Sequence, residues 1–123
     1  MNKLKNNEIK ALNAGTLAYL GDAIFEVLVR EHIIITNNGG DMKKKANAYV
    51  SAKSQSQMYH KILEISTEEE IQILKRGRNY VTKVPKSATV SEYRHATGIE
   101  ALFGYLYLQG NNNRLLQIFN AIL

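Results

Sequence analysis

Two acidic residues interrupt stretches of sequence that otherwise predict buried helices, and this combination constrains the fold more than any other feature. Asp22 lies within the apolar segment 16–30, and Glu100 lies within the apolar segment 96–108. At 100° per residue, apolar side chains cover nearly the whole circumference of the first segment, which is typical of a helix inside a protein. An ionised carboxylate there must be paired, hydrogen-bonded or bound to a metal. Two such acids on two core helices predict a shared cation.

The overall composition indicates one cytoplasmic domain that covers residues 1–123. The chain has 45% hydrophobic residues and a single proline, which suits a folded domain of this size. It has no cysteine, so disulfides and thiolate metal sites are excluded. Charged residues break the longest apolar run, and the polar N-terminus lacks a signal-peptide core, so we expect no association with a membrane.

Basic residues are concentrated in the middle of the chain. The formal net charge is +5, and eleven of the sixteen lysines and arginines lie in two groups, five between Lys43 and Lys61 and six between Lys75 and Arg94. Such clustering is typical of a surface that binds a polyanion. A solvated surface that is merely rich in lysine is the alternative, and charge alone does not separate the two.

Helical periodicity predicts an all-α fold of five to seven helices. The first helix is expected from about Glu8 to Ile34, loosened around 13–15, and Gly77 is expected to end a later one. Other boundary signals are an N-cap at Asp41, a break near 51–54, Thr-x-x-Glu capping boxes at 67–70 and 89–92, and a turn at 110–113 before the last helix. Glycines cost a helix interior roughly 1 kcal/mol each relative to alanine. Those at 21, 98 and 104 therefore predict close helix approach, which would bring the two acids together; ordinary core packing is the alternative.

Metal-dependent hydrolysis of a phosphodiester is the chemistry that suits two acids beside a basic surface. Mg²⁺ takes oxygen ligands, keeps several waters, and can activate one of them as a nucleophile. A structural ion pair of the acids with Arg94 or Lys53 is the alternative. The three histidines form no zinc-binding pattern, and no serine-hydrolase elbow or nucleotide-binding glycine loop is present. Tyr105 and Tyr107 are expected in the core.

Several motifs resemble one enzyme family. The segment Leu17-Ala-Tyr-Leu-Gly-Asp-Ala23 resembles the signature helix of the ribonuclease III catalytic domain, and 99–108 is similar to the second acidic segment of that family. The segments at 50–55, 76–79, 85–86 and 93–94 resemble Mini-ribonuclease III, the branch that lacks a double-stranded-RNA-binding domain. The resemblance covers nearly the whole chain.

The resemblance implies a fold like the helical bundle of the ribonuclease III catalytic domain. It also implies a Mg²⁺-dependent homodimer that cuts double-stranded RNA and matures precursor large-subunit (23S) ribosomal RNA. Asp22 and Glu100 match two of the four metal-binding acids of the family, with Asp22 as the catalytic acid. Ala18 and Thr97 stand where larger enzymes have the other two, and Gly15 replaces a further glutamate, so one shared Mg²⁺ is the expectation.

The basic loop before the second acid is the expected RNA-binding element. Its predicted contacts are Arg76, Arg78, Lys83, Lys86 and Arg94. Two rival functions are also compatible with the sequence. One is an RNA-binding protein of the same fold without cleavage, and the other is an all-α nucleotide pyrophosphohydrolase, which would need an acidic cluster such as 68–70 at the site.

Overall fold

Seven α-helices make up the described part of the chain, and this confirms the all-α prediction. The computed structural model describes residues 3–36, 39–80, 83–86 and 88–123, and it contains no strand within them. The helices are α1 (Asn6–Ala11), α2 (Ala14–Thr36), α3 (Met42–Val50), α4 (Ala52–Ile65), α5 (Glu68–Arg78), α6 (Val90–Leu108) and α7 (Asn112–Ala121). Helix α6 lies in the middle and contacts α2, α4, α5 and α7.

The predicted helix starts are confirmed by their capping hydrogen bonds. The Asp41 side chain accepts the Lys44 backbone N–H at 3.2 Å, as an N-cap does. Thr67 and Thr89 each begin a helix within a complete capping box. The expected break near 51–54 is also real, because Ser51 ends α3 and caps α4.

The first predicted helix is interrupted, and the predicted end of α5 is wrong. The interruption lies at 12–13, beside the loosening expected around 13–15, because the Asn13 side chain accepts the Thr16 N–H at 2.8 Å and starts α2 anew. Gly77 does not end α5, which runs one residue further to Arg78. Gly77 is instead buried at the crossing of α5 and α6, where an added Cβ would lie 2.6 Å from the Cα of Gly98.

Close helix approach at the small residues is confirmed. An added Cβ at Gly21 of α2 would lie 1.6 Å from the carbonyl oxygen of Glu100, and one at Gly104 of α6 would lie 2.0 Å from the carbonyl oxygen of Leu17. The two backbones therefore touch, and no larger residue fits either position without moving a helix. Gly98 serves the contact of α6 with α5 rather than with α2.

Helix α2 is not buried all round, and in this respect the sequence interpretation is wrong. Leu17, Gly21 and Phe25 face α6 and the core, whereas Val27 and Asp22 are exposed. The exposed face also carries Tyr19 and Ile34, which are 83% and 68% accessible. The paired side chains of Glu26 and Arg30 lie among these apolar ones, so this side of α2 is a mixed apolar and charged surface that no described residue covers.

None of the helices in the described ranges is long and apolar enough to cross a membrane.

The predicted core position of Tyr105 is confirmed at 1% exposure, but Tyr107 is 47% exposed and lies at the surface. The two tyrosines are two residues apart on α6, so they point to different sides of the helix.

Candidate active site

Asp22 and Glu100 meet where α2 crosses α6. Gly21 packs against the backbone of Glu100, so the residue after Gly21 is placed beside the Glu100 side chain. The two carboxyl groups share a hydrogen bond, in which protonated Glu100 donates to Asp22. The convergence of the two acids, expected from the flanking small residues, is therefore a property of the fold.

The two acids differ in their surroundings. Asp22 is exposed, whereas Glu100 is half-buried. Burial raises the pKa of Glu100 to about 8, and the negative charge of Asp22 and their shared hydrogen bond add to this effect. Glu100 therefore keeps its proton at neutral pH, beside the carboxylate of Asp22.

A third polar residue at this site, Gln55 of α4, was missed by the sequence analysis. It is 2% exposed, and its side-chain amide donates a hydrogen bond to Glu100, which opposes the rise in the pKa of that carboxyl. Gln55 lies on the buried face of α4, together with Tyr59 and Ile62. A glutamine on the apolar face of an amphipathic helix was the signal that could have identified it, because buried amides need partners.

No basic residue within the described ranges neutralises the acid pair. The ion pairs there join Lys10 to Glu69, Arg30 to Glu26 and Arg114 to Glu70. Neither Arg94 nor Lys53, the partners considered for a structural ion pair, takes part in one within that part of the chain. The described residues also contain no cluster of three or more histidines and acids that could hold a metal, so the site offers a pair of carboxylates.

An open pocket of about 270 Å³ lies above the acid pair. Its lining, which we call the acid pocket, consists of Gly15, Ala18, Tyr19, Asp22, Tyr80, Tyr93, Thr97 and Glu100. The three positions without the expected acids, 15, 18 and 97, thus all border the same space. Thr97 turns its hydroxyl to the backbone oxygen of Tyr93 at 2.9 Å, so this hydroxyl is already used within α6.

The predicted RNA-binding residues fall into two groups. The Arg76 guanidinium donates to the backbone oxygens of Lys10 and Leu12 and so fixes the end of α1. Arg78 is partly buried beside Tyr59 and His95. The remaining three predicted contacts are exposed at the surface that leads from α5 into α6: Lys83, Lys86 and Arg94.

Two histidines that are far apart in sequence are neighbours in space. The ring centroids of His60 and His95 are 5.4 Å apart, and His95 stacks on Tyr59 at 4.4 Å. The Nδ1 atom of His95 lies 2.7 Å from the Ser56 hydroxyl. Burial lowers the pKa of His95, and the positive charges of His60 and Arg78 lower it further. This cluster has no third metal ligand among the described residues.

The acidic run 68–70 does not belong to the site. It forms the first turn of α5, where Glu70 completes the capping box, as the sequence predicted. Glu69 accepts a hydrogen bond from the Tyr105 hydroxyl and pairs with Lys10, while Glu70 pairs with Arg114. The acidic cluster that a nucleotide pyrophosphohydrolase would need is therefore engaged elsewhere.

The chain matches a known protein family over most of its length. The Ribonuclease III domain family matches residues 15–111, a range that contains both acids of the pocket. The chain belongs to this family, and the fold and the family together define a ribonuclease of the ribonuclease III type.

The relatives of this chain are short members of the family. A Mini-ribonuclease 3 from Desulfitobacterium hafniense (strain Y51) is 43% identical, with 90% of this chain and 72% of the relative covered. A Mini-ribonuclease 3 from Staphylococcus aureus (strain NCTC 8325 / PS 47) is 39% identical over all of this chain and 96% of the relative. The crystal structure of a Fusobacterium nucleatum protein is 35% identical, with a TM-score of 0.86 and 98% of both chains covered. The resemblance noted in the sequence is thereby confirmed.

The pKa of Glu100 predicts a pH-dependent stability. The folded protein keeps the Glu100 proton to about pH 8, whereas an unfolded chain loses it near pH 4.3. Between these values the folded state binds more protons, so the free energy of unfolding falls as pH rises and becomes level above pH 8. His95 acts in the opposite sense below about pH 6.5, because its pKa is lowered in the folded protein.

Chemical denaturation in EDTA at pH 6.5 and pH 8 measures this effect. We expect the parent protein to lose up to about 2 kcal/mol over this interval. Glu100→Gln should remove the loss, since the amide does not titrate. An equal loss in the parent and in Glu100→Gln would contradict the assignment of the raised pKa to this residue.

Proposed function

We propose that this protein is a Mg²⁺-dependent endoribonuclease that hydrolyses phosphodiester bonds in double-stranded RNA, with Asp22 and Glu100 as the metal ligands. The observation that carries the proposal is the acid pair, which lies at an open pocket without a basic partner among the described residues. Membership of the ribonuclease III family and the similarity to proteins called Mini-ribonuclease 3 support the substrate class.

The residues of the site fit a hard divalent cation. A carboxyl whose pKa is raised by a neighbouring carboxylate gains most from a positive ion between the two, and Mg²⁺ prefers oxygen ligands. Because the described residues supply only this pair of acids, waters and an RNA phosphate oxygen would complete the coordination. Bound Mg²⁺ supplies charge stabilisation at the phosphate and an activated water.

The side chains of the site have separate tasks in this proposal. Asp22 is exposed, so its carboxylate faces an incoming ion, and it would be the catalytic residue that holds this ion. Glu100 supplies the second carboxylate after it gives up its proton, which is released to solvent through the open pocket. The Gln55 amide holds the Glu100 carboxylate in place and favours its charged form.

Duplex RNA would lie along the basic surface next to the acid pocket. Lys83, Lys86 and Arg94 are exposed, and lysine and arginine side chains there suit the phosphates of a double helix. Arg78 would add a charge near this surface. Arg76 contributes positive charge, but its guanidinium donates its hydrogen bonds to backbone oxygens at the end of α1. We therefore assign it a structural role rather than a direct RNA contact.

A homodimer is part of the proposal because a duplex has two strands to cut. Two sites related by a two-fold axis would match the approximate two-fold symmetry of the duplex. The exposed face of α2 carries Tyr19, Val27 and Ile34 beside the Glu26–Arg30 ion pair, and so supplies a partly apolar surface next to Asp22 on the same helix. We place the dimer contact there.

We further propose precursor 23S ribosomal RNA as the substrate, as the resemblance to Mini-ribonuclease III implies.

An RNA-binding protein without catalysis is the second candidate, and the composition of the pocket is the observation in its favour. Ala18 and Thr97 border the pocket and offer no carboxylate. The acid pair argues against this candidate. Two mutually repelling acids weaken the fold, and their negative charge would not help a surface that only binds RNA. Incubation of duplex RNA with the protein, with and without Mg²⁺, separates the two.

Asp22→Asn should abolish cleavage of duplex RNA and leave the fold intact. The amide keeps the shape of the side chain but loses the charge that attracts the cation, and Asp22 is exposed. We expect the circular dichroism spectrum to match that of the parent and the melting temperature to be no lower, since the repulsion between two acids is removed. Calorimetric titration with Mg²⁺ should show lost binding. Glu26→Gln is the matched control, since Glu26 lies one turn away and pairs with Arg30. Cleavage by Asp22→Asn within a few-fold of the parent would contradict the assignment.

The double variant Lys83→Ala/Lys86→Ala should bind duplex RNA more weakly, whatever the RNA sequence. Each lost phosphate contact reduces the slope of log affinity against log salt by roughly 1. Electrophoretic mobility shifts over a series of salt concentrations, with two unrelated duplexes, measure this slope. The control is Lys43→Ala/Lys44→Ala, which removes the same charge from α3. An unchanged affinity and slope for the first variant would place the RNA path elsewhere, with 43–53 the next surface to consider.

Val27→Lys should convert the protein to a monomer. A charge in the centre of an apolar contact is costly to bury, and Val27 is 59% exposed, so the isolated subunit should tolerate it. Sedimentation at micromolar concentration should give the mass of two chains for the parent and 13.9 kDa for the variant. Ile65→Lys, at an exposed apolar position of α4, is the control and should remain a dimer. A monomeric parent with full cleavage of both strands would contradict the dimer.

A further inference from the structure

The ring of Tyr80 lies on the backbone of Gly15 at one end of the acid pocket. A Cβ added at position 15 would lie 2.5 Å from Cζ and 2.6 Å from the hydroxyl oxygen of Tyr80. Carbon atoms do not approach so closely without displacement, so any other residue at position 15 would push the ring away. Glycine at position 15 therefore determines where the Tyr80 hydroxyl can lie.

Tyr80 is anchored through its backbone, while its hydroxyl is available for a contact. The residue follows the end of α5, and its backbone N–H donates to the Gly77 oxygen at 3.2 Å. The ring is 38% exposed, and its hydroxyl makes no hydrogen bond to any other residue that the structure describes. A fixed ring with an available hydroxyl at the rim of a pocket suits a contact with a ligand.

The acid pocket has few groups that can donate a hydrogen bond. The Asp22 carboxylate only accepts, and the Glu100 proton is already donated to Asp22. Ala18 and Gly15 carry no polar side chain, and the Thr97 hydroxyl is occupied by the Tyr93 backbone oxygen. The donors that remain in the lining are the tyrosine hydroxyls. An RNA phosphate offers only acceptors, so an RNA strand in this pocket needs such donors.

We propose that Tyr80 is a substrate-positioning residue, whose hydroxyl donates a hydrogen bond to a backbone phosphate next to the scissile one. This inference rests on the proposed function. Gly15 lies two helical turns before Asp22 on the same face of α2, a distance of roughly 10 Å along the helix axis. The Tyr80 hydroxyl therefore meets the RNA strand beside the acid pair rather than at it. Gly15 contributes to the positioning of the hydroxyl because the absence of a side chain there leaves space for the Tyr80 ring.

Tyr80→Phe removes the hydroxyl and keeps the ring. We expect affinity for duplex RNA in EDTA, measured by fluorescence anisotropy, to fall about tenfold, the effect of one strong hydrogen bond. The cleavage rate at subsaturating RNA should fall by the same factor. The melting temperature and the Mg²⁺ concentration for half-maximal cleavage should not change, whereas a structural residue or a metal ligand would alter one of them. Tyr107→Phe, an exposed tyrosine outside the acid pocket, is the control.

A double-mutant cycle tests the pairing with Gly15. Gly15→Ala should reduce RNA affinity as strongly as Tyr80→Ala, because the new methyl group displaces the ring. In the Tyr80→Ala background, Gly15→Ala should cause no further loss and should raise the melting temperature, since alanine favours the helix over glycine. Additive losses would show that Gly15 does not act through Tyr80.

The outcomes separate this inference from the function on which it rests. If the parent cleaves duplex RNA and Tyr80→Phe binds and cleaves equally well, the role of Tyr80 is overturned and the nuclease function stands. If the parent binds duplex RNA in a manner that depends on the Tyr80 hydroxyl but does not cleave it, hydrolysis is overturned and the positioning role stands. If the parent neither binds nor cleaves duplex RNA, both are overturned.

Discussion

The contact between the backbones of α2 and α6 is the constraint on which the rest of the structure depends. Gly21 and Gly104 let the two helices touch, and substitution of either requires a helix to move. Each glycine weakens its helix by roughly 1 kcal/mol relative to alanine. In return, the crossing fixes Asp22 and Glu100 next to each other on two rigid elements. Sites built on helices hold their geometry more closely than sites built on loops.

Polar contacts at the periphery hold the helix ends around this crossing. The Tyr105 hydroxyl reaches Glu69, which also pairs with Lys10, and the Tyr105 contact in particular lowers the pKa of Glu69. Arg76 holds the end of α1 through backbone oxygens. The contacts of Glu69 with Tyr105 and Lys10 engage an acidic residue outside the acid pocket. Lys83 and Lys86, between α5 and α6, and Arg94 of α6 have no acidic partner in the described ranges, which gives that surface the positive charge a polyanion requires.

Sequence alone could predict the helical fold, most helix starts and the convergence of the two acids, because caps, glycines and buried charges act locally. It could not predict that Asp22 is exposed, since apolar side chains on a helix face can lie either in the core or at the surface of the protein. Nor could it place Gln55, whose partner is 45 residues away, or join His60 to His95. Arg76 illustrates the same limit: its sequence position suggested a surface cation, and only the packing of α1 shows how its guanidinium is used. These features depend on contacts between distant segments.

The tie between Arg114 of α7 and Glu70 of α5 has a consequence for how the sequence can vary. The guanidinium donates two hydrogen bonds to the carboxylate, each 2.8 Å long, and a third to the backbone oxygen of Ile65. Burial alone would raise the pKa of Glu70, but the bonds from Arg114 hold it below its usual value. Loss of either partner would leave a buried charge without compensation, whereas an apolar pair of similar volume would lose the bonds to Thr67 and Ile65 but leave no buried charge. Positions 70 and 114 are thus free to change together but not separately, so related sequences should carry either both charges or neither.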